Sequence, residues 1–179
     1  MPITFTETKL PGAFIIEPEI FADERGFFAR SYSEDEFEAH GIKLRMAECH
    51  ISFNKKRYTI RGLHFQKDPF AQAKLVRCTQ GAIFDVIVDL RPGSPTFKQW
   101  IGEELTAANH RMLYVPKGFA HGYQTLEDDT EMFYQVSEFY TPSSLGGVRW
   151  NDPAFGIRWP AMDGVTLNHR DESYPDFTS

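Results

Sequence analysis

Residues 61–90 read RGLHFQKDPFAQAKLVRCTQGAIFDVIVDL. Three runs in and just ahead of this stretch, 59–66, 73–79 and 81–90, carry apolar and β-branched residues at strand spacing. The last two are the most strongly apolar in the chain, which predicts a pair of central strands covered on both faces. A loop at 67–71 separates the first two, and Arg91-Pro92-Gly93-Ser94-Pro95 is a turn cluster that closes the third.

The same pattern extends in both directions. Upstream, 12–20 reads as a strand and Asp23-Glu24-Arg25-Gly26 as a turn before 27–32. Ser33 with Glu36 three residues on has the form of a capping box, and Gly41 supplies the stop, which predicts one short helix. Strand character returns over 44–53, with a polar turn at 54–57. Downstream, 100–105 and 112–115 flank a turn at Asn109-His110, and 132–140 alternates again around Tyr134. The segments GGVRWNDP and GIRWP are rich in Trp, Gly and Pro and read as a strap rather than as strands. The tail 167–172 is charged with both signs.

At 179 residues the chain is long enough for one domain, here residues 1–179, with a full core. Aromatics make up 15% of the residues, and Gly and Pro recur along the whole length, as expected for short strands joined by turns in an all-β sandwich or barrel. The net charge of −6 and pI near 5.5 argue against nucleic acid as a partner, since phosphate backbones need a clustered basic face. Cys49 and Cys78 lack CxxC spacing and read as buried free thiols of a reduced compartment. The N-terminus has no basic and apolar leader, and no apolar run approaches ~18 residues, so a soluble cytoplasmic protein with no membrane partner is expected.

The chemistry-bearing residues are sparse. His64 and Lys74 sit among alternating apolar residues, so an imidazole and an ammonium can face one lined cavity, a setting suited to proton handling. In Val115-Pro116-Lys117-Gly118-Phe119-Ala120-His121, Pro fixes φ and Gly permits the turn, which presents His121 from a defined corner. His40, His110 and His169 have no such surroundings and read as surface residues.

A many-stranded chain with Pro-x-Gly-x-x-His resembles the cupin superfamily, whose fold is a double-stranded β-helix, or jelly roll. Metal-binding cupins commonly carry His-x-His in their first motif; here Gly62-Leu63-His64-Phe65-Gln66 has one His, with Gln66 in the second place, so no metal is expected. The closer resemblance is to the dTDP-4-dehydrorhamnose 3,5-epimerase family. It is carried by the Asp23-Glu24-Arg25-Gly26-Phe27-Phe28 region, RGLHFQ, QAKLVRCTQGAIFDVIVDLR, SPTF with Trp100, VPKGFAHGY, the Tyr134 strand, RWNDP with IRWP, and Arg170-Asp171.

The resemblance implies a nucleotide-linked 4-keto-6-deoxy sugar as substrate, with no redox cofactor, and the chain has no Gly-rich dinucleotide fingerprint. It implies His64 as base, Asp171 as the carboxylate orienting it, Lys74 beside the ketone oxygen and Tyr134 as acid on the opposite face. Arg25, Arg61 and Arg170 fall on positions for the nucleotide diphosphate, His121 on a substrate contact, and Phe28 and Tyr140 on the base-stacking surface. A homodimer is implied as well. The chain departs from the family at Arg30, where Glu is common, at Glu48 and His50, near common Gln and Asn, and at Leu145, near a common Glu. Those positions belong mostly to the nucleotide and substrate-binding side, and inversion at C3, at C5 or at both stays open because one base–acid pair serves each. The rival readings are a metal-dependent cupin using His64 and His121, and a sugar-nucleotide binding module without catalysis.

Overall fold

Most long strands of this chain have two covered or half-covered faces, the edge strand at Glu48–Asn54 being the exception, and what each face meets decides where the site lies. The structure, a computed structural model, describes residues 2–178. In order, its first elements are β1 (Ile3–Glu7), β2 (Phe14–Pro18), β3 (Phe21–Asp23), β4 (Gly26–Phe28), α1 (Glu34–Ala39), β5 (Glu48–Asn54), β6 (Ile60–Gln66) and β7 (Lys74–Gln80). Next come β8 (Ala82–Asp89), β9 (Trp100–Thr106), β10 (Met112–Val115), β11 (Phe119–Thr125), β12 (Thr130–Val136), a 3-10 turn (Pro142–Ser144), β13 (Leu145–Gly147) and α2 (His169–Glu172).

Two antiparallel sheets form the sandwich, one ordered β1-β2-β10-β7-β12-β5 and the other β13-β6-β11-β8-β9. This is the cupin-type jelly roll that the sequence predicts. Strands β7 and β8 are both interior, but they lie in different sheets and are not partners of one another. Between the sheets, Val76, Cys78 and Met132 meet Ile83, Ile87 and Phe119. The other face of β8 turns Val86 and Val88 onto Trp150, Phe155, Ile157 and Trp159, so the Trp-rich segment is a strap over the second sheet. On the outside of the first sheet, Phe37 of α1 with Ile42 and Leu44 covers Leu75, Met112 and Tyr114. Phe37 is fully buried, and cutting such a ring to Ala costs about 3–5 kcal/mol.

The expectations need four corrections here. Ser33 does stand at the N-cap of α1, but its side chain makes no cap hydrogen bond. Glu36 instead accepts from Ile3 N at 2.8 Å and from Arg30 at 3.0 Å, so tertiary donors outcompete the local box. Gly41 is the stop, at φ +76°. Cys49 is exposed rather than buried, because it points outward from the edge strand β5 between the inward Glu48 and His50. His110 is half-buried, its ring 4.6 Å from that of Phe27. Strand β1 and the short edge strand β13 were not expected; both are at sheet edges, where a few ladder bonds suffice without a strong apolar pattern. Among the described residues, no helix is long and apolar enough to cross a membrane.

Candidate active site

Strands β5, β7 and β12 of one sheet and β6 and β11 of the other turn their inner faces onto a hollow of two lobes, about 200 and 170 Å³. His64, Lys74, Tyr134 and Arg170 line both lobes. Arg61, His121 and Tyr123 belong to the first, and His50, Tyr140 and Leu145 to the second.

His64 is fixed from beneath. Its Nε2 lies 2.7 Å from Oδ1 of the fully buried Asp171, whose Oδ2 accepts the Gly62 N–H at 3.0 Å. Gly62 is required for this approach: its φ is +113°, and a Cβ there would sit 2.7 Å from Gly122 Cα and from the His121 carbonyl oxygen. Asp171 is presented by α2, where Asn168 caps its N–H at 2.8 Å. Burial drives the Asp171 carboxyl upward, but the hydrogen bond and charge of His64, the Gly62 N–H and the Arg170 charge outweigh it and leave it below its ordinary value. An ionised Asp171 holds the proton on Nε2, so the Nδ1 lone pair is the free base. The Arg170 guanidinium lies 3.4 Å from Nε2, and the Tyr174 ring stands edge-on to the imidazole at 6.2 Å.

A second His–Asp pair supports Lys74. His121 Nε2–H donates to Asp85 Oδ1 at 2.8 Å, and its Nδ1 lies 3.5 Å from Lys74 Nζ. Burial pulls His121 below its usual value and, with Asp85 opposing, pulls Lys74 down to about 8. A neutral His121 accepts from the ammonium, so one cation is held at the hollow without like-charge repulsion. Asp85 Oδ2 has no hydrogen-bond partner among the described residues.

Tyr134 stands opposite His50 in the β12–β5 register, and their rings stack at 5.0 Å and 21°. Burial raises the Tyr134 phenol above its usual value; the charges of Tyr123 and Glu48 act in the same direction and Arg61 against it. A phenol so placed stays protonated and is available as an acid. Glu48 Oε2 lies 3.2 Å from His50 Nε2 and accepts the Tyr140 N–H at 3.1 Å. Arg61 is held by Asn54 Oδ1 at 2.7 Å, with its guanidinium toward the first lobe.

Of the residues expected at the site, His64, Lys74, Tyr134, Asp171, Arg61, His121, Arg170, His50 and Tyr140 are brought together, with Glu48 behind them. Arg25, Phe28 and Arg30 are not. Arg25 and Phe28 ride on the β3–β4 hairpin, which pairs with neither sheet; the Arg25 side chain is 85% exposed and forks onto Asp23, and Phe28 is 64% exposed. Arg30 is drawn to Glu36 on α1. Sequence reasoning missed Asp85, Tyr123 and Tyr174. Asp85 had a visible signal, a carboxylate in the middle of the apolar run AIFDVIV. Tyr123, which shares hydrogen bonds with Ser52 at 2.8 Å and Asn54 at 3.2 Å, had none. Among the described residues, no three His, Cys, Asp or Glu side chains form a metal-ligand set.

Comparisons with known proteins bear on the family and the fold. A family model described as dTDP-4-dehydrorhamnose 3,5-epimerase matches residues 7–179. The enzyme of that name from Salmonella typhimurium is 46% identical over 170 residues, 94% of this chain and 92% of its own. The crystal structure of the Bacillus anthracis dTDP-4-dehydrorhamnose 3,5-epimerase with TDP and PPi bound superposes with a TM-score of 0.94 at 46% identity, covering 98% of this chain and 100% of that one. A Legionella pneumophila epimerase in complex with dTDP-4-keto-L-rhamnose gives a TM-score of 0.91 at 35% identity, covering 99% and 100%. With a family match over nearly its whole length, a jelly roll of the same shape and a His–Asp pair facing a tyrosine across one hollow, the chain belongs to the dTDP-4-dehydrorhamnose 3,5-epimerase family of carbohydrate isomerases.

Proposed function

We propose that this protein is a cofactor-independent epimerase that inverts C3 and C5 of dTDP-4-dehydro-6-deoxy-D-glucose. The observation that carries the reading is the pairing of His64 with buried Asp171 on one side of a hollow whose wall also holds Tyr134 and Lys74. The C4 ketone acidifies the hydrogens on its neighbours. His64 Nδ1 takes one of them as a proton, the C–H electron pair becomes the enolate, and Asp171 stabilises the imidazolium. The Lys74 ammonium meets the negative charge on the enolate oxygen, an interaction whose removal typically costs about 10²–10³ in rate. Tyr134 gives its phenolic proton to the opposite face of the carbon and is reprotonated from solvent, and His64 returns its own proton to solvent.

Arg61 and Arg170 suit the diphosphate and Tyr140 the thymine ring. Arg25 and Phe28 serve the hollow of a second copy in a homodimer. The exposed apolar residues of the β3–β4 hairpin, Phe21, Phe27 and Phe28, and of the edge strand β5, Ile51 and Phe53, support that assembly. Two free cysteines, one of them exposed, suit a reducing cytoplasm. Incubation with a dTDP-4-keto-6-deoxyhexose in deuterated water tests the reaction: deuterium enters C3 and C5, and its absence from both carbons sinks the reading.

A further inference from the structure

The second lobe of the hollow contains a side chain that the reaction as written does not use. His50 lies on β5 directly across the ladder from Tyr134, and its ring covers the phenol face at 5.0 Å with only 21° between the planes. On the other side of Tyr134 in the sheet is Val76 of β7, fully buried and β-branched. The phenol is thus flanked by one stiff aliphatic residue and one flat ring. The flat ring is itself tied down: His50 Nε2 lies 3.2 Å from Glu48 Oε2, and the same oxygen accepts the Tyr140 N–H at 3.1 Å.

From this geometry we infer that His50 is a positioning residue for the proton donor, holding the Tyr134 phenol by its stack, with Glu48 anchoring the imidazole to the segment that bears Tyr140. The inference rests on the reading of Tyr134 as acid. Stacked aromatic pairs attract one another beyond simple area burial, which selects one ring orientation over a neighbouring one. Reprotonation needs the phenol oxygen at the far face of the enolate, and a misplacement of about 1 Å costs up to about 10² in rate. Deprotonation does not depend on the stack, because His64 takes its orientation from Asp171. Loss of the stack therefore separates the two half-reactions. The enolate still forms, but more often takes its proton back from His64. The His64 imidazole is 24% exposed, so its proton exchanges with solvent and the returning proton is a deuteron in heavy water. The carbon is then labelled with its configuration retained.

The readout is the ratio of inversion to deuterium wash-in at C3 and C5, followed by proton NMR on a dTDP-4-keto-6-deoxyhexose in heavy water. His50→Ala is expected to lower that ratio about 10-fold at one or both carbons, whatever change in overall rate accompanies it. His50→Phe, which restores a flat ring without the Glu48 contact, is expected to recover the ratio to within about threefold. His50→Gln takes the place of the Ala variant if the latter does not fold. An unchanged ratio in the Ala or Gln variant overturns the proposal. So does a ratio that His50→Phe fails to recover. Absence of wash-in in the parent protein removes the epimerase reading itself, and the role of the stack with it.

Discussion

His64 and His121 stand opposite one another in the β6–β11 register, yet each turns its Nε2 to a different buried carboxylate, Asp171 for the first and Asp85 for the second. One ring is left half-open to the hollow and the other is closed into a buried chain that ends on Lys74. Two copies of the same side-chain pair thus stand in different settings, one open to the hollow, as the proposed base requires, and one buried against Lys74.

Asp171→Asn separates orientation from charge. The amide keeps the size of the side chain, but no longer stabilises imidazolium and can present the wrong hydrogen-bonding group to Nε2. Turnover is expected to fall by about 10² or more with the fold intact, as judged by steady-state rates and circular dichroism. The Asp171 pKa is lower in the folded chain than its ordinary 3.8, so its stabilisation is complete above that value and is lost as pH falls through the folded pKa. Acid unfolding of the Asn variant lacks that contribution.

Lys74 gives opposite slopes for activity and stability. With its pKa pulled down to about 8, the ammonium that meets the enolate is lost on raising pH through about 8, and kcat/KM is expected to show a basic limb there. Between about 8 and the unfolded value of 10.5, the unfolded chain binds the proton that the folded chain has released, so this group makes stability rise with pH. A pH–rate profile and urea melts over the same range check both signs.

Tyr134→Phe removes the proposed acid and leaves the proposed base. Inversion is expected to drop by about 10²-fold or more, while His64-driven deuterium wash-in continues; His64→Ala abolishes both. Equal loss of wash-in in the two variants would remove Tyr134 from its assigned role.

The proposed homodimer, in which Arg25 of the β3–β4 hairpin serves the hollow of a second copy, has a numerical signature. Mixing inactive His64→Ala with inactive Arg25→Ala under conditions of subunit exchange pairs one intact base with one intact Arg25 in half of the sites of mixed dimers. Random pairing, with mixed dimers about half of the total, then returns about one quarter of the parent activity. No recovery after verified exchange would show that Arg25 serves its own chain or none.

Gly62→Ala tests the backbone approach. A Cβ 2.7 Å from the Gly122 Cα meets backbone on the neighbouring strand, not a flexible side chain, and φ is +113°. A loss of about 2–4 kcal/mol in urea unfolding is expected, together with lower turnover as the N–H contact to Asp171 is displaced.

Much of this architecture was legible in the sequence because alternation is a local signal. Strands β6 to β10 and β12 follow from the runs of apolar and β-branched residues, and the strap from its Trp, Gly and Pro content. The edge strands β1 and β13 were not legible, because an edge makes few demands on composition. The site was legible only through motifs: nothing local in Asp171 tells that it sits beneath His64, and only closure of the fold brings residues 107 apart in the chain to 2.7 Å. Asp85 was readable in principle, since a charge inside an apolar run requires a partner. Arg25 and Phe28 carried the right residue types, but the hairpin that bears them folds away from the hollow of its own chain.

The order in which the ribosome delivers these parts has a consequence. Asp171 emerges after the thirteen strands of the described residues and after the tryptophan segment that seals the second sheet. A polypeptide cut just before α2 would carry His64 with no carboxylate at Nε2 and Gly62 with no acceptor for its N–H.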